Sequence, residues 1–261
     1  MNPGLQVASH RSNGSSSFRQ QTHNGHWSLL SAQCGTGVLA KLHYGPTPPS
    51  FALQLKNSII IRYSSPKTKS NKLGSMKIIG IDLAGRTTNP SGFAVLSGHT
   101  FKTQLVYSDM QMIDLCTQEQ PAIVSVDAPL SLPARGNLRK ADASLIKRGL
   151  RVFPPTFAGM RSLTERGIRL AKKLRARKIK VIEIHPRTSG VILFSTPKRD
   201  LWITKLKKMG FRFQGGKSRH EIDAALAALT GALHLRGKTE EIGDAKEGTI
   251  VIPLQRAASP A

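Results

Sequence analysis

Met76-Lys77-Ile78-Ile79-Gly80-Ile81-Asp82 is a short apolar run, rich in β-branched residues, that ends on a carboxylate. Two later stretches have the same form: residues 122–127 end on Asp127, and residues 180–183 end on Glu183. Short apolar runs of this kind are typical of buried strands. If the three strands run parallel, their terminal carboxylates meet at one edge of a sheet, where open α/β sheets bind ligands.

A fourth carboxylate, Asp223, lies in the stretch that opens the last predicted helix. Carboxylates that are brought close together repel one another, and a cation between them relieves that repulsion. Hard oxygen ligands suit Mg²⁺ or Mn²⁺. The sequence therefore predicts a metal-dependent enzyme that acts on a phosphate-rich substrate.

The charge of the chain points to the same class of substrate. The 261 residues carry a formal net charge of +24, which favours attraction to polyanions and to nucleic acid above all. A basic surface that only faces solvent, or one adapted to heat, is the alternative explanation. The carboxylates argue against it, because four of only 15 acidic residues end or flank predicted core elements, where a charge is costly.

Residues 1–75 differ in composition from the rest of the chain. They contain eight Lys or Arg and no Asp or Glu, whereas residues 76–261 carry 31 basic and 15 acidic residues, a net charge of +16. The first segment is rich in Ser, Asn, Gly and Pro, and such a stretch does not bury enough apolar area to offset its ordering entropy. We expect a disordered or non-native extension. It is either an organellar transit peptide or, as we favour because the first strand begins at Met76, the product of an over-extended reading frame.

The cysteines and the apolar runs bear on where the protein acts. Cys34 and Cys116 are too few for a disulfide framework and lack metal-site spacing, which suits a reducing compartment. Cys116 falls in a predicted helix, where we expect a buried apolar residue. No run of eighteen apolar residues is present, so no membrane span is predicted. We expect a cytoplasmic protein, or an organellar one if residues 1–75 are a transit peptide.

Hydrophobic periodicity divides residues 76–261 into alternating strands and helices. A helical insertion is predicted over 128–178, and a tail over 237–261 with an added strand at 249–253. The order predicts an α/β fold: a mixed five-stranded sheet with helices on both faces, in which the first strand is central and antiparallel to the second. The predicted strands are about 77–83, 92–96, 101–107, 122–127 and 179–184, and the predicted helices about 111–119, 138–148, 161–177, 199–209 and 219–235.

Four motifs in this order resemble the DUF429 family. They are Gly80-Ile81-Asp82-Leu83-Ala84-Gly85, Asp127-Ala128-Pro129-Leu130, Glu183-Ile184-His185-Pro186 and His220-Glu221-Ile222-Asp223-Ala224. DUF429 proteins are regarded as predicted nucleases of the ribonuclease H-like superfamily, related to the RuvC Holliday-junction resolvases. The resemblance covers about 76–236. It implies a ribonuclease H-like fold and a divalent-metal mechanism that hydrolyses phosphodiester bonds in DNA or RNA with two metals.

The resemblance also implies roles for the site residues. Asp82 matches the carboxylate that bridges both metals, and Asp223 matches the carboxylate of the C-terminal helix. His220 stands one turn before Asp223 on the same helix face, where it is expected to orient the attacking water or take its proton.

Two residues compete for the role of middle metal ligand. The superfamily places this ligand at the end of the fourth strand, which favours Asp127. Glu183 is then either an additional ligand or the partner of a nearby arginine such as Arg187. The predicted metal ligands are therefore Asp82, Asp127, Glu183 and Asp223.

Basic residues near the predicted site are expected to hold the phosphate backbone of a nucleic acid. The loop at residues 215–218 precedes the last helix and either places amides near a phosphate or is an ordinary glycine turn with a serine cap, which we favour. The predicted nucleic-acid contacts are Arg139, Lys140, Arg151, Arg161, Lys217 and Arg219.

Two other functions fit the same fold. One is a nucleotide-binding phosphotransferase of the actin and sugar-kinase type, although such enzymes usually repeat the core and 76–261 holds one copy. The other is a non-catalytic nucleic-acid-binding protein that uses its basic surface alone. The four carboxylates argue against it, because they repel phosphate unless a metal intervenes.

Overall fold

The structure is a computed structural model that describes residues 10–12, 15–21, 27–32 and 76–255. The chain divides into two units, residues 1–58 and residues 59–261. In the first unit, strands β1 (His10–Ser12), β2 (Ser15–Gln21) and β3 (Trp27–Ala32) form an antiparallel sheet in the order β1-β2-β3. Most of residues 1–75 lie outside the described residues, so the expected boundary at Met76 stays a prediction.

The second unit is built on one mixed sheet whose central strand is the stretch that ends at Asp82. The strands are β4 (Lys77–Asp82), β5 (Ser91–Ser97), β6 (Thr100–Val106), β7 (Ile123–Asp127), β8 (Val181–Ile184), β9 (Arg212–Gly215), β10 (Thr239–Asp244) and β11 (Gly248–Pro253). The sheet order is β10-β11-β8-β7-β4-β5-β6-β9. Strand β4 pairs antiparallel with β5 and parallel with β7, and β7 pairs parallel with β8, as predicted.

Helices cover both faces of this sheet because successive side chains of a strand point to opposite sides. In β4, Ile78 packs into a cluster with Trp202 and Leu226, whereas Ile79 packs on the other face against Met112 and Leu170. The helices are α1 (Asp109–Glu119), α2 (Lys140–Lys147), α3 (Ala158–Ala176), α4 (Pro186–Phe194), α5 (Arg199–Lys208) and α6 (Arg219–His234). Cys116 lies in α1 and is buried, as predicted.

The sheet is larger than predicted. Five strands were expected, and the structure has eight in this sheet, because β9 pairs with β6 and a hairpin of β10 and β11 extends the opposite edge. Helix α4 was not predicted either, and it begins at Pro186 and runs through Thr188, Ser189 and Gly190. Those residues have low helix propensity, and burial overrides it here. The strand predicted at 249–253 is confirmed as β11.

Helix α6 lies directly on the backbone of the central strands. Every residue from Glu221 to Leu233 is buried. A Cβ on Gly80 would come within 2.0 Å of the Ala224 carbonyl oxygen, and one on Gly92 within 1.9 Å of the His220 carbonyl oxygen. Glycine is required at both positions because α6 approaches the sheet too closely for a side chain. The contact fixes the height of α6 above the end of β4.

The five predicted strands lie in the order β6-β5-β4-β7-β8, with β4 central and antiparallel to β5, as predicted from sequence. The predicted class, an α/β fold with helices on both faces of a mixed sheet, is confirmed. Among residues 76–255, no helix has the length and apolar character needed to cross a membrane.

Candidate active site

Asp82 and Asp127 lie side by side at the carboxyl edge of the sheet. Strands β4 and β7 are parallel and adjacent, and their register pairs Asp82 directly with Asp127. Both residues are the last of their strands, so each side chain is placed by a buried apolar run that precedes it. The Asp82 side chain is 15% exposed. The predicted meeting of strand-terminal carboxylates is present for this pair.

Helix α6 brings His220 to Asp82. The helix begins with a capping box, in which the Ser218 amide donates to Glu221 Oε2 at 3.0 Å and Ser218 Oγ accepts from the Glu221 amide. In the same first turn, His220 Nδ1 lies 2.7 Å from Asp82 Oδ2, although the two residues are 138 positions apart in the chain. The structure thus joins the first and fourth motifs through a hydrogen bond.

Asp223, one turn further along α6, is held by an arginine that the sequence reasoning missed. Arg199, the first residue of α5, donates from Nε to Asp223 Oδ1 at 2.7 Å and from Nη2 to Oδ2 at 2.6 Å. The guanidinium lies over the Trp202 ring, 5.7 Å from its centroid. A cation at the N-terminus of a helix opposes the helix dipole, and this unfavourable position was the available signal for Arg199.

Burial and neighbouring charge raise the pKa of two of the carboxylates. Burial first, and then the charge of Asp223, raise the pKa of Asp82 to about 6, although the hydrogen bond with His220 opposes the rise. Burial also holds the pKa of Asp127 well above its ordinary range, with added repulsion from Asp82 and Asp223. A site of this kind favours protonated carboxylates or a bound cation. When it has neither, the charged carboxylates repel one another.

Glu183 lies in a buried ion-pair network, and it also lines the cavity beside Asp82 and Asp127, where its charge helps to raise the pKa of Asp127. Arg139, whose side chain is 1% exposed, donates to Glu183 Oε2 at 2.7 Å and to Oε1 at 2.6 Å, and it also binds Asp142. The Leu130 amide donates to Glu183 as well. Of the two expected roles for Glu183, the structure places it in an arginine pair, with Arg139 rather than Arg187 as the partner. Asp127 therefore remains the better candidate for the middle ligand.

A cavity of about 210 Å³ opens beside Asp82 and Asp127. Its wall includes Phe153 from the predicted insertion and His185 from the third motif. His185 Nδ1 lies 2.8 Å from Thr188 Oγ1, and burial lowers the pKa of His185 to about 4, so its imidazole is neutral at pH 7. The cavity gives a small polar group access to both carboxylates.

Of the six predicted nucleic-acid contacts, one is buried and five are exposed. Arg139 is buried in the ion-pair network, so its position does not support contact with a phosphate backbone. Lys140 pairs with Asp244 at 2.6 Å, and Arg161 pairs with Glu165 at 3.1 Å, both with well exposed side chains. The remaining predicted contacts are exposed, namely Arg151, Lys217 and Arg219. The serine cap favoured for the loop at 215–218 is confirmed, and the Glu221 carboxylate lies at that helix N-terminus.

The donor chemistry of the site fits a hard divalent cation, but its geometry is only partly assembled. Asp82, Asp127 and Asp223 supply carboxylate oxygens whose mutual repulsion a cation would relieve. Over residues 76–255, however, no three His, Cys, Asp or Glu side chains converge closely enough to hold a metal ion. Asp223 instead bonds to Arg199, and Asp82 bonds to His220.

Comparison with known proteins gives a family match. The family model described as "Protein of unknown function (DUF429)" matches residues 80–200, which contain three of the four motifs. No curated protein matches the chain. The resemblance to DUF429 that the motifs indicate is confirmed by this match.

Solved structures of RuvC from Thermus thermophilus show a distant likeness. RuvC in complex with a Holliday junction substrate is 12% identical, with a TM-score of 0.43, and the alignment covers 67% of this chain and 99% of that one. A second RuvC structure is 13% identical, with a TM-score of 0.39, and the alignment covers 62% and 97% of the two chains. Both likenesses are weak, and neither assigns an activity to this chain.

Proposed function

We propose that this chain, whose resemblance to the DUF429 family is confirmed, is a divalent-metal-dependent nuclease that hydrolyses phosphodiester bonds in DNA or RNA. The observation that carries the proposal is the pairing of Asp82 with Asp127 in register, with Asp223 close enough to raise the pKa of both carboxylates. His220 and Arg199 oppose the rise in the pKa of Asp82, yet that pKa is still raised to about 6, so the protein's own partners offset only part of the repulsion. Mg²⁺ or Mn²⁺ is the partner that fits these ligands.

The bound metals would activate a water and stabilise the leaving oxygen of an in-line displacement. Asp82, Asp127 and Asp223 are the residues that would hold them. His220 is positioned for proton transfer: its Nδ1 bonds to Asp82, and its Nε2 accepts a 3.4 Å contact from Arg219 Nε. With the proton assigned to Nδ1, Nε2 carries the lone pair that a general base requires.

The basic surface supports nucleic acid as the substrate. Residues 76–261 carry a net charge of +16, and α3 presents a row of exposed cations that includes Lys172 and Lys173. Positive charge around a carboxylate site attracts a phosphate chain to a place that would otherwise repel it. A cytoplasmic location, or an organellar one, is part of the same proposal and follows from the expected reducing compartment.

Cleavage assays on labelled substrates test the proposal. Wild-type protein is incubated with branched, duplex and single-stranded DNA and RNA, with Mn²⁺, with Mg²⁺ and with EDTA. We expect metal-dependent cleavage that Asp127→Asn abolishes while binding is retained, because the substitution removes a ligand and a repulsive charge together. Asp114→Asn, an exposed carboxylate on α1, is the matched control and should cleave as wild type does. Equal cleavage by wild type and Asp127→Asn would contradict the assignment.

A second function is favoured by one observation. The bidentate pair of Arg199 with Asp223 neutralises one of the three carboxylates from within the protein. A non-catalytic nucleic-acid-binding protein on the same fold would need this kind of neutralisation. Salt-sensitive binding of nucleic acid without cleavage under any divalent metal would favour this alternative over the nuclease.

A further inference from the structure

Arg199 supplies the positive charge of the carboxylate cluster in this structure. Its guanidinium binds both oxygens of Asp223, and the charges of Asp82 and Asp127 also stabilise it. Bidentate pairs of arginine with a carboxylate are strong and directional. Both carboxylate oxygens of Asp223 are thereby bonded to the first residue of α5.

The surroundings of Arg199 allow its side chain to separate from Asp223. Its side chain is 37% exposed, whereas that of Asp223 is 8% exposed. It is the first residue of α5, where the helix dipole disfavours a cation, and the turn before α5 contains Ser195 in a left-handed conformation. Because the Arg199 side chain is already partly exposed, opening the pair would move its guanidinium into solvent. No unpaired cation would be left buried in the protein.

We infer that Arg199 and a divalent metal are alternative partners of Asp223, so that the Arg199–Asp223 pair must open before Asp223 joins Asp82 and Asp127 around a metal. The inference rests on the proposed metal-dependent function and adds to it a resident competitor. It accounts for two observations together: the donor chemistry fits a metal, yet no three side chains of residues 76–255 converge to hold one. The pair acts as a latch on the site.

Metal titration by calorimetry tests the latch. If the pair is closed nine-tenths of the time, the apparent affinity is about tenfold weaker than that of the open site. Arg199→Gln should therefore bind Mn²⁺ about tenfold more tightly than wild type. Arg212→Gln is the control, since it removes the same charge from β9, at the end of the sheet opposite Asp82. It should bind Mn²⁺ as wild type does.

Trp202 gives an independent readout of the same event. The chain has two tryptophans, so in a Trp27→Phe background the emission reports Trp202 alone. Mg²⁺ should change this emission, because the guanidinium over the ring leaves when Asp223 turns to the metal. The change should be absent when Arg199→Gln is added to the Trp27→Phe background.

The outcomes separate the latch from the proposed function. Equal Mn²⁺ affinity in wild type and Arg199→Gln, with no change in Trp202 emission, would overturn the latch and leave the metal site standing. Failure of both proteins to bind Mn²⁺ or Mg²⁺ would overturn the metal-dependent nuclease, and the latch with it. Tighter binding in Arg212→Gln as well would overturn the latch in favour of a general effect of charge.

Discussion

Asp82 has an unusual environment for a strand-terminal residue. It lies beside Asp127, the charge of Asp223 acts on it, and it is hydrogen-bonded to His220. Its pKa of about 6 in the folded protein lies above its ordinary value of 3.8. The folded state therefore holds the Asp82 proton more tightly than the unfolded state does. This contribution favours folding at low pH and is lost as the pH rises from about 4 through about 6.

Substitution of Asp82 should therefore stabilise the metal-free protein at alkaline pH. A rise in pKa from 3.8 to about 6 corresponds to about 3 kcal/mol of lost stability once the carboxylate is charged. In EDTA at pH 8, Asp82→Asn should melt at a higher temperature than wild type, and the difference should shrink toward pH 5. Mn²⁺ should raise the melting temperature of wild type at pH 8 and not that of the variant. A variant less stable than wild type at both pH values would show that Asp82 is not strained.

At this scale the sequence identifies the carboxylates but not their partners. Asp82 and Asp127 are recognisable because each ends an apolar run, and a parallel sheet then places them together. The pairs of Arg199 with Asp223 and of Arg139 with Glu183 join residues 24 and 44 positions apart, and their geometry depends on how helices α5 and α2 pack. Local patterns do not encode such packing, so a basic residue such as Arg139 looks the same whether it is buried or exposed.

Helix α6 positions two residues of the candidate site, His220 and Asp223, and it contacts the backbone of β4 and β5. Its apolar periodicity makes it predictable from sequence. The strands β9 and β10 were not predicted, since each is short and largely polar, and each is stabilised by a neighbouring strand rather than by its own pattern.

Gly80→Ala should displace helix α6. The added methyl group would meet the Ala224 carbonyl oxygen and the Ala228 amide, which are backbone atoms that do not move without α6. We expect a loss of about 3 kcal/mol in the free energy of unfolding, as for other overpacked cores, and weaker Mn²⁺ binding because Asp223 moves. Gly159→Ala is the matched control: it lies in α3 with 3.5 Å to the nearest ring atom, and alanine favours a helix. Similar chemical denaturation curves for both variants would contradict the role of Gly80.

For the whole molecule, the excess of positive charge is distributed over helices far from the carboxylates as well as near them. If nucleic acid binds through the predicted basic helices, the salt dependence of binding should change only when cations on those helices are removed. Exposed cations on α3 and on α5 offer a comparison at equal charge, because both helices carry a pair of adjacent lysines near their C-terminal ends.

Replacement of Lys172 and Lys173 together by alanine should lower the log–log salt slope of duplex DNA binding by about 0.9 for each phosphate that the protein no longer neutralises. The double replacement of Lys207 and Lys208 on α5 removes the same charge and should leave the slope unchanged. Fluorescence anisotropy between low and physiological salt measures both slopes. If the slope falls equally in the two double variants, the protein binds through its overall charge and α3 is not a specific contact.

The placement of α6 on β4 has a consequence for the protein during its synthesis. His220 is made 138 positions after Asp82, which at cellular rates of translation is roughly 7 to 28 s. Until α6 is made, the central strands lack that helix, and Asp82 and Asp127, once both are made, have neither Asp223 nor His220 beside them. The candidate site is therefore completed only when α6 has been made, and the helix that completes it is also the one that covers the central strands.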